Sequence, residues 1–350
     1  MTKVVFLIGP TAVGKTDLAI DLAEAFAGEI ISADSRQVYR GFDIGTAKPT
    51  RAQRARIPHH LIDVAEPDEP FTLARYLPLV RAAIADVAAR GRVPFVVGGT
   101  GQYLWALLRG HRPPAVVADP DLRQRLEALA HSEGTEALYA ELAQLDPLLA
   151  GRTDRLNPRR LIRAIEVAMA RSKHEGVQGL APLAPAHAEP VEAWPSADDL
   201  EEALVLGLTL PREHLYARAD ARIESMLAAG WVEEVRDLLS RHGDPRRLPA
   251  FAALGYRQLV THLAGEASLA ESVQRAKFET HRFIRQQYAW FRRPDFGTRW
   301  LDVEDQAASK EALGAAITGF LGARSMGKGA HSIEDAGMVY STPLAAMSRS

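Results

Sequence analysis

A chain of 350 residues with 47% hydrophobic and 25% charged side chains has the make-up of a globular protein, long enough for one large domain with an insertion or for two domains. Its formal net charge of −2 excludes an overall basic surface, so contact with nucleic acid must come from local arginine clusters. The lack of cysteine excludes disulfides, thiolate zinc sites and a cysteine nucleophile.

The opening "MTKVVFLIGP" ends its short apolar run in a glycine loop, so it reads as a buried strand and not as a signal peptide. No stretch approaches the roughly 20 apolar residues of a membrane helix. The expectation is therefore a cytoplasmic protein without membrane contact. Val4 to Ile8 is a continuous apolar run, as a central parallel strand requires. Thr16 to Phe26 has helical periodicity, Glu29 to Ser32 and His60 to Val64 read as strands, Leu73 to Ala89 as a helix, and Val93 to Val97 as another buried strand. This alternation predicts an α/β fold: a P-loop-containing, doubly wound, mostly parallel sheet with ligands at the carboxyl ends of its strands.

From about residue 112 the pattern turns helical until "EALVLGLTL", Glu202 to Leu210, which predicts a helical insertion over 112–200 between core segments 1–111 and 201–322. Lys173 to Pro195 is rich in proline, alanine and glycine and reads as a loop. After Pro211 the chain is almost wholly helical, with a long helix from about Leu269 to Arg292 and a final edge strand in "TRWLDV". Residues 323–350 lack periodicity and read as a disordered tail.

"GPTAVGKT" matches G-x-x-x-x-G-K-[ST] between a strand and a helix. Gly9, Pro10, Thr11, Ala12, Val13 and Gly14 would wrap a phosphate with backbone N–H groups at a helix N-terminus. Lys15 would reach the outer phosphate and the Thr16 hydroxyl would help hold Mg2+. The second apolar strand ends in "VVGGTG", without the metal-binding aspartate of a nucleotide-hydrolysing machine. A transferase using a diphosphate or triphosphate donor fits better.

The next strand runs into "ISADSRQVYRGFDIGTAKP". Asp34 thus sits at the same sheet end as the phosphate loop, placed either to take a proton from an acceptor or merely to cap a short helix. Arg36 and Gln37 offer groups suited to a base edge.

Together with these two motifs, "PHHLIDVAEPDEPFTLARY", "PFVVGGTGQYLWALLRG", "NPRRLIRAIEV", "LYARADARIESMLAAGWVEEV", "ALGYRQL" and "RFIRQQYAWFRR" make residues 3–301 resemble the tRNA dimethylallyltransferases, or tRNA isopentenyltransferases. The resemblance implies transfer of a dimethylallyl group from dimethylallyl diphosphate to N6 of the adenosine 3′-adjacent to the anticodon, in tRNAs reading codons that begin with U. It implies that Asp34 accepts the N6 proton, that Thr100 contacts the target nucleotide, and that Arg218, with Arg222 one turn on, binds the diphosphate beside Lys15, Thr16 and Mg2+. Arg218 and Arg222 could instead just solvate a helix.

An acceptor inside an anticodon stem-loop must leave its stack and enter the protein, which calls for basic surface around the entrance. Arg152, Arg155, Arg159, Arg160, Arg163 and Arg171 crowd one stretch; Arg275, Lys277, Arg282, Arg285, Arg292 and Arg293 crowd another. The tRNA-facing set is then Asp34, Ser35, Arg36, Gln37, Thr100, Arg123, Arg159, Arg160, Arg163, Arg257, Gln258, Arg282 and Arg285. Phe283 and Trp290, seven apart, read as core packing rather than base stacking. Asp43 and Asp63 are reserve candidates for the base. No obligate protein partner is expected, and the protein is read as a monomer. The competing readings are a P-loop kinase of a small hydroxylated metabolite, with Asp34 as base, and an RNA-binding module whose phosphate loop is only structural.

Overall fold

The structure, a computed structural model, describes residues 2–110, 113, 116, 119–175, 202–245, 248–292 and 297–322. Six strands form one sheet in the order β3-β2-β4-β1-β5-β6, every neighbouring pair parallel. They are β1 (Lys3–Ile8), β2 (Gly28–Ser32), β3 (His59–His60), β4 (Val93–Gly98), β5 (Glu202–Thr209) and β6 (Arg299–Asp302). β1 is central, and its side chains feed two cores: Val5 and Leu7 on one face, Val4, Phe6 and Ile8 on the other. That is why its sequence is apolar throughout instead of alternating.

On the first face pack α1 (Lys15–Ala25), α9 (Arg212–Ala228) and α13 (Gln306–Gly322); on the second, α3 (Leu73–Ala89) and α4 (Gly101–Leu108). A third core joins α10 (Trp231–His242), the 3-10 turn Pro249–Ala252 and α11 (Tyr256–Leu263) to Val38, Tyr39 and Phe42. The chain leaves the sheet after α4 and returns at β5. Between them, α5 (Pro120–Glu133), α6 (Thr135–Leu145), α7 (Pro147–Ala150) and α8 (Pro158–Glu175) close around a fourth core that includes Leu126, Leu138, Leu142, Leu161 and Ile165. The long α12 (Leu269–Phe291) carries Ile284 into the first core and Phe291 into the second.

The strand expected over His60 to Val64 shrinks to His59–His60. Leu61 and Asp63 take left-handed backbone, with φ of 60° and 58°, which turns the chain out of the sheet. Short α2 (Arg51–Arg56) then lies between β2 and β3, started by a capping box of Thr50 and Gln53. "TRWLDV" does supply the edge strand β6, beside β5. The loop expected up to Pro195 beyond α8 and the tail expected from residue 323 fall outside the described residues.

Candidate active site

The phosphate loop lies between β1 and α1, with Gly14 in left-handed backbone (φ 98°) as the N-cap of α1. A side chain at Gly9 would put its Cβ 2.7 Å from the Leu208 carbonyl oxygen, so the loop needs glycine to pass β5. Thr11, Ala12, Gly14, Lys15 and Thr16 line a cavity of about 640 Å³, whereas Val13 is buried in the first core. Gly9 and Pro10 contribute their carbonyls, which accept from Lys15 Nζ at 2.9 and 2.7 Å.

Five cationic side chains line this cavity (Lys15, Arg36, Lys48, Arg218 and Arg222) against two carboxylates, Asp17 and Asp34, so its field favours an anion. Arg218 and Arg222 enter it from one face of α9, and neither has an ion-pair partner among the described residues. Arg222 is partly buried in the lining, while Arg218 is exposed at its edge. Burial pushes Lys15 down to about 7; Arg222 adds to the fall and Asp34 opposes it. Burial likewise lowers Arg222, against the pull of Asp34 and Asp17.

Asp34 follows β2 and does cap: its Oδ1 accepts the N–H groups of Arg36 at 2.8 Å and Gln37 at 3.4 Å. Its Oδ2 has no hydrogen-bond partner in the described structure, so capping occupies one oxygen and leaves the other for the cavity. Thr100, at the start of α4, accepts the Ser35 N–H on Oγ1 at 3.0 Å, which binds the β4–α4 turn to the turn after Asp34. The reserve candidates are committed elsewhere. Lys48, buried, reaches Asp43 at 2.7 Å and Asp63 at 2.5 Å, and Arg54 holds the other oxygen of Asp63 at 2.9 Å. Burial alone would raise Asp63, but these two cations lower it.

Ser35, Arg36 and Thr100 also line a second cavity, of about 610 Å³, whose lining includes Arg123, Arg159 and Arg163. The two cavities therefore meet at the turn that carries Asp34. Tyr103 stands in the second, stacked on Tyr76 with ring centres 4.0 Å apart.

The arginines of the insertion separate by role. Arg123 grips the buried Glu166 with two hydrogen bonds, of 2.6 and 3.0 Å, and Arg163 adds a third of 2.9 Å. Arg160 lies 3.6 Å from Asp154 and Arg155 pairs with Glu136. Arg159 is exposed and has no partner among the described residues. The structure brings Arg257, Gln258, Arg282 and Arg285 to neither cavity. Gln258 caps α11 through the Gly255 N–H at 3.0 Å, Arg282 sits 4.0 Å from Glu279, and Arg285 donates to the Tyr216 hydroxyl at 3.1 Å. The Gln37 side chain, expected to read a base, is spent on protein: Nε2 donates to the Thr46 and Ala47 carbonyls and Oε1 accepts from Ser32.

Phe283 and Trp290 also part company, since Phe283 lines the first cavity while Trp290 packs on Gly101. Gln287, one turn beyond Phe283, is a further residue of the site. This buried amide accepts the Thr11 N–H at 2.8 Å and donates to the Gly99 carbonyl at 2.9 Å. The spacing Thr280–Phe283–Gln287, all lining the cavity, was the available signal. Met226 and Trp231, also in the lining, carried none.

The sequence model of a family described as IPP transferase matches residues 37–294, and one described as Isopentenyl transferase matches residues 2–59. The chain is 50% identical to the tRNA dimethylallyltransferase of Roseiflexus sp. (strain RS-1), over 87% of this chain and 95% of that one. It is 48% identical to that of Chloroflexus aurantiacus, over 84% and 94%. Its fold is similar to the crystal structure of the tRNA isopentenylpyrophosphate transferase of Bacillus halodurans, with a TM-score of 0.65, 34% identity and coverage of 92% and 97%. It is also similar to a eukaryotic dimethylallyltransferase acting on tRNA, with a TM-score of 0.72, 25% identity and coverage of 94% and 81%. The match over more than half the chain, and identities near one half across relatives of similar length, establish that this chain belongs to the IPP transferase family.

Proposed function

We propose that the protein is a tRNA dimethylallyltransferase, acting on N6 of the adenosine 3′-adjacent to the anticodon in tRNAs that read codons beginning with U. The observation that carries this reading is the meeting of two cavities at the Asp34–Thr100 turn, one lined by the phosphate loop and free arginines, the other by Arg159. A phosphorylated donor then enters from one side and a polyanionic acceptor from the other. The relatives named as tRNA dimethylallyltransferases and the neighbour described as acting on tRNA support that acceptor.

In the reaction, N6 attacks C1 of the dimethylallyl group, the C1–O bond breaks, and the diphosphate departs with the electron pair. The N6 proton passes to the unoccupied oxygen of Asp34, whose other oxygen holds the turn in place. Thr100, whose oxygen already accepts from Ser35, keeps its own O–H to donate to the acceptor base. Lys15, Arg218 and Arg222 answer the charge that grows on the diphosphate.

The donor set suits Mg2+, which usually keeps several waters and binds substrate phosphates with only one or two protein oxygens. Thr16 lines the cavity beside the phosphate loop and would supply such an oxygen, and the described residues hold no acidic cluster that would trap the ion elsewhere. Bound there, the ion would neutralise diphosphate charge. The α5–α8 insertion, with Arg159 at the second cavity, is read as the anticodon stem-loop contact. No helix among the described residues is long and apolar enough to cross a membrane. The enzyme is proposed to work in the cytoplasm as a monomer.

The test is incubation with unmodified tRNA and radiolabelled dimethylallyl diphosphate, beside a control with ATP and metabolite pools. Label in tRNA at the adenosine next to the anticodon is the expected result. Phosphorylation of a metabolite with unlabelled tRNA would favour the kinase.

A further inference from the structure

Glu234 stands on α10, within "GWVEEV", a stretch that carries the family likeness without having given this residue a role. Its carboxylate is surrounded by donors. Oε2 accepts the N–H groups of Asp43 at 3.0 Å and Ile44 at 2.7 Å; Oε1 accepts the Gly45 N–H at 3.4 Å and the Tyr256 hydroxyl at 2.6 Å. Three successive backbone N–H groups converging on one anion form a nest, a strong anchor for a loop. Gly45 is pressed on the same helix, since a Cβ there would lie 2.1 Å from Nε1 of Trp231.

The anchored loop closes on itself through Ala47 N–H to Ile44 O at 2.9 Å and Lys48 N–H to Asp43 O at 3.0 Å. Its far side faces the turn that carries Asp34. The Thr46 and Ala47 carbonyls accept from Gln37 Nε2 at 3.3 and 3.2 Å, and the Gln37 N–H donates to Asp34 Oδ1 at 3.4 Å. An unbroken run of contacts thus leads from Glu234, through loop 43–47 and Gln37, to the oxygen that fixes the orientation of Asp34.

We propose that Glu234 is a positioning residue for transfer: its carboxylate sets loop 43–47, which through Gln37 holds Asp34 against the acceptor. The inference rests on the reading of Asp34 given under the proposed function. A carboxylate suits the place, because in either orientation glutamine would set its NH2 group against backbone N–H, that of Gly45 or those of Asp43 and Ile44.

The experiment is a double-mutant cycle on the chemical step, measured as single-turnover transfer from saturating dimethylallyl diphosphate to saturating unmodified tRNA, with thermal melts and both dissociation constants. A misplacement of about 1 Å from a distant change can cost about a hundredfold in rate. Glu234→Gln should therefore lower the step by about tenfold to a hundredfold, with both affinities near wild type. Added to Gln37→Ala, it should lower the rate little further, because the link is already cut. Gln37→Ala alone should reproduce the loss without touching α10, which keeps the inference testable if Glu234→Gln fails to fold. Multiplicative losses in the double mutant, or normal transfer by both single mutants, would overturn this inference alone. Failure of the wild type to transfer at all would overturn the proposed function and this inference with it.

Discussion

Gln287 Oε1 accepts the Thr11 N–H at 2.8 Å, so a side chain from α12 closes the phosphate loop from a distance of 276 residues along the chain. The same amide donates to the Gly99 carbonyl, and Gly99 has no room for a side chain, since a Cβ would lie 2.4 Å from Gln287 Nε2. One buried amide therefore ties the donor-binding loop to the turn that carries Thr100.

Replacing it tests that tie. Gln287→Leu keeps the volume but leaves Thr11 N–H and Gly99 O without their partner, at a cost of about 1–3 kcal/mol for an unsatisfied buried group. The melting temperature and the affinity for dimethylallyl diphosphate should both fall, while tRNA affinity holds. Unchanged donor affinity, measured by calorimetry, would show that the loop keeps its shape unaided.

Lys15 gives a pH dependence with a definite sign. Its pKa is about 7 in the folded protein, pushed down chiefly by burial from an ordinary 10.5. A buried cation costs stability at low pH, and this cost is relieved as pH rises from 7 toward 10.5, where the unfolded chain still binds the proton that the folded chain has released. Diphosphate binding reverses the balance, because an anion favours charged Lys15. Donor binding should therefore make Lys15 take up a proton above pH 7, and donor affinity should weaken as pH rises from 7 to 9. The ligand does not mask the effect, since a phosphate's second ionisation lies near about 6. Calorimetry in two buffers of different ionisation heat measures the uptake. Lys15→Ala should abolish it and lower transfer by orders of magnitude.

Arg159 and Arg163 stand four residues apart in sequence yet predict opposite outcomes. Arg159→Ala should weaken tRNA binding and flatten the log–log salt slope by roughly 0.7–0.9, the share of one phosphate contact, without changing the melt. Arg163→Ala removes one of two cations from the buried Glu166 and should cost stability, about 1–3 kcal/mol. An unchanged slope for Arg159→Ala would remove the second cavity from the tRNA path.

The strands, the phosphate loop and Asp34 were legible because each is written locally, in an apolar run, a glycine pattern or a strand end. The arginine clusters were legible as charge but not as roles, since a count of arginines does not show that Glu166 captures Arg163 together with Arg123. Gln37 misled for the same reason: its amide is chemically fit for a base, and only the fold shows the Thr46 and Ala47 carbonyls already holding it. Glu234 acts on a segment far away in sequence, so no spacing announced it; Gln287 shares a helix face with Thr280 and Phe283, but that spacing does not show that its amide reaches the phosphate loop. The short β3 was over-read because left-handed backbone at Leu61 and Asp63 carries no glycine or asparagine to mark it.

Asp34→Asn decides whether this residue is a base as well as a cap. Asparagine keeps an Oδ1 that can accept the Arg36 and Gln37 N–H groups, and it caps about as well as aspartate, so the melt and tRNA affinity should barely move. It cannot take the N6 proton, so the chemical step should fall by about 10²–10⁴-fold, the usual share of a positioned general base. Asp34→Ala should lose the same rate and also about 1 kcal/mol of stability, because the cap goes too. Asp43 and Asp63 offer no easy substitute, being held by Lys48. Asp17, the other carboxylate in the cavity lining, accepts from Gln53 at 2.9 Å. Single-turnover transfer beside a melt for both mutants separates the cases. A silent Asp34→Asn with a destabilised Asp34→Ala would leave Asp34 a cap only, and Asp17 would become the carboxylate to replace next.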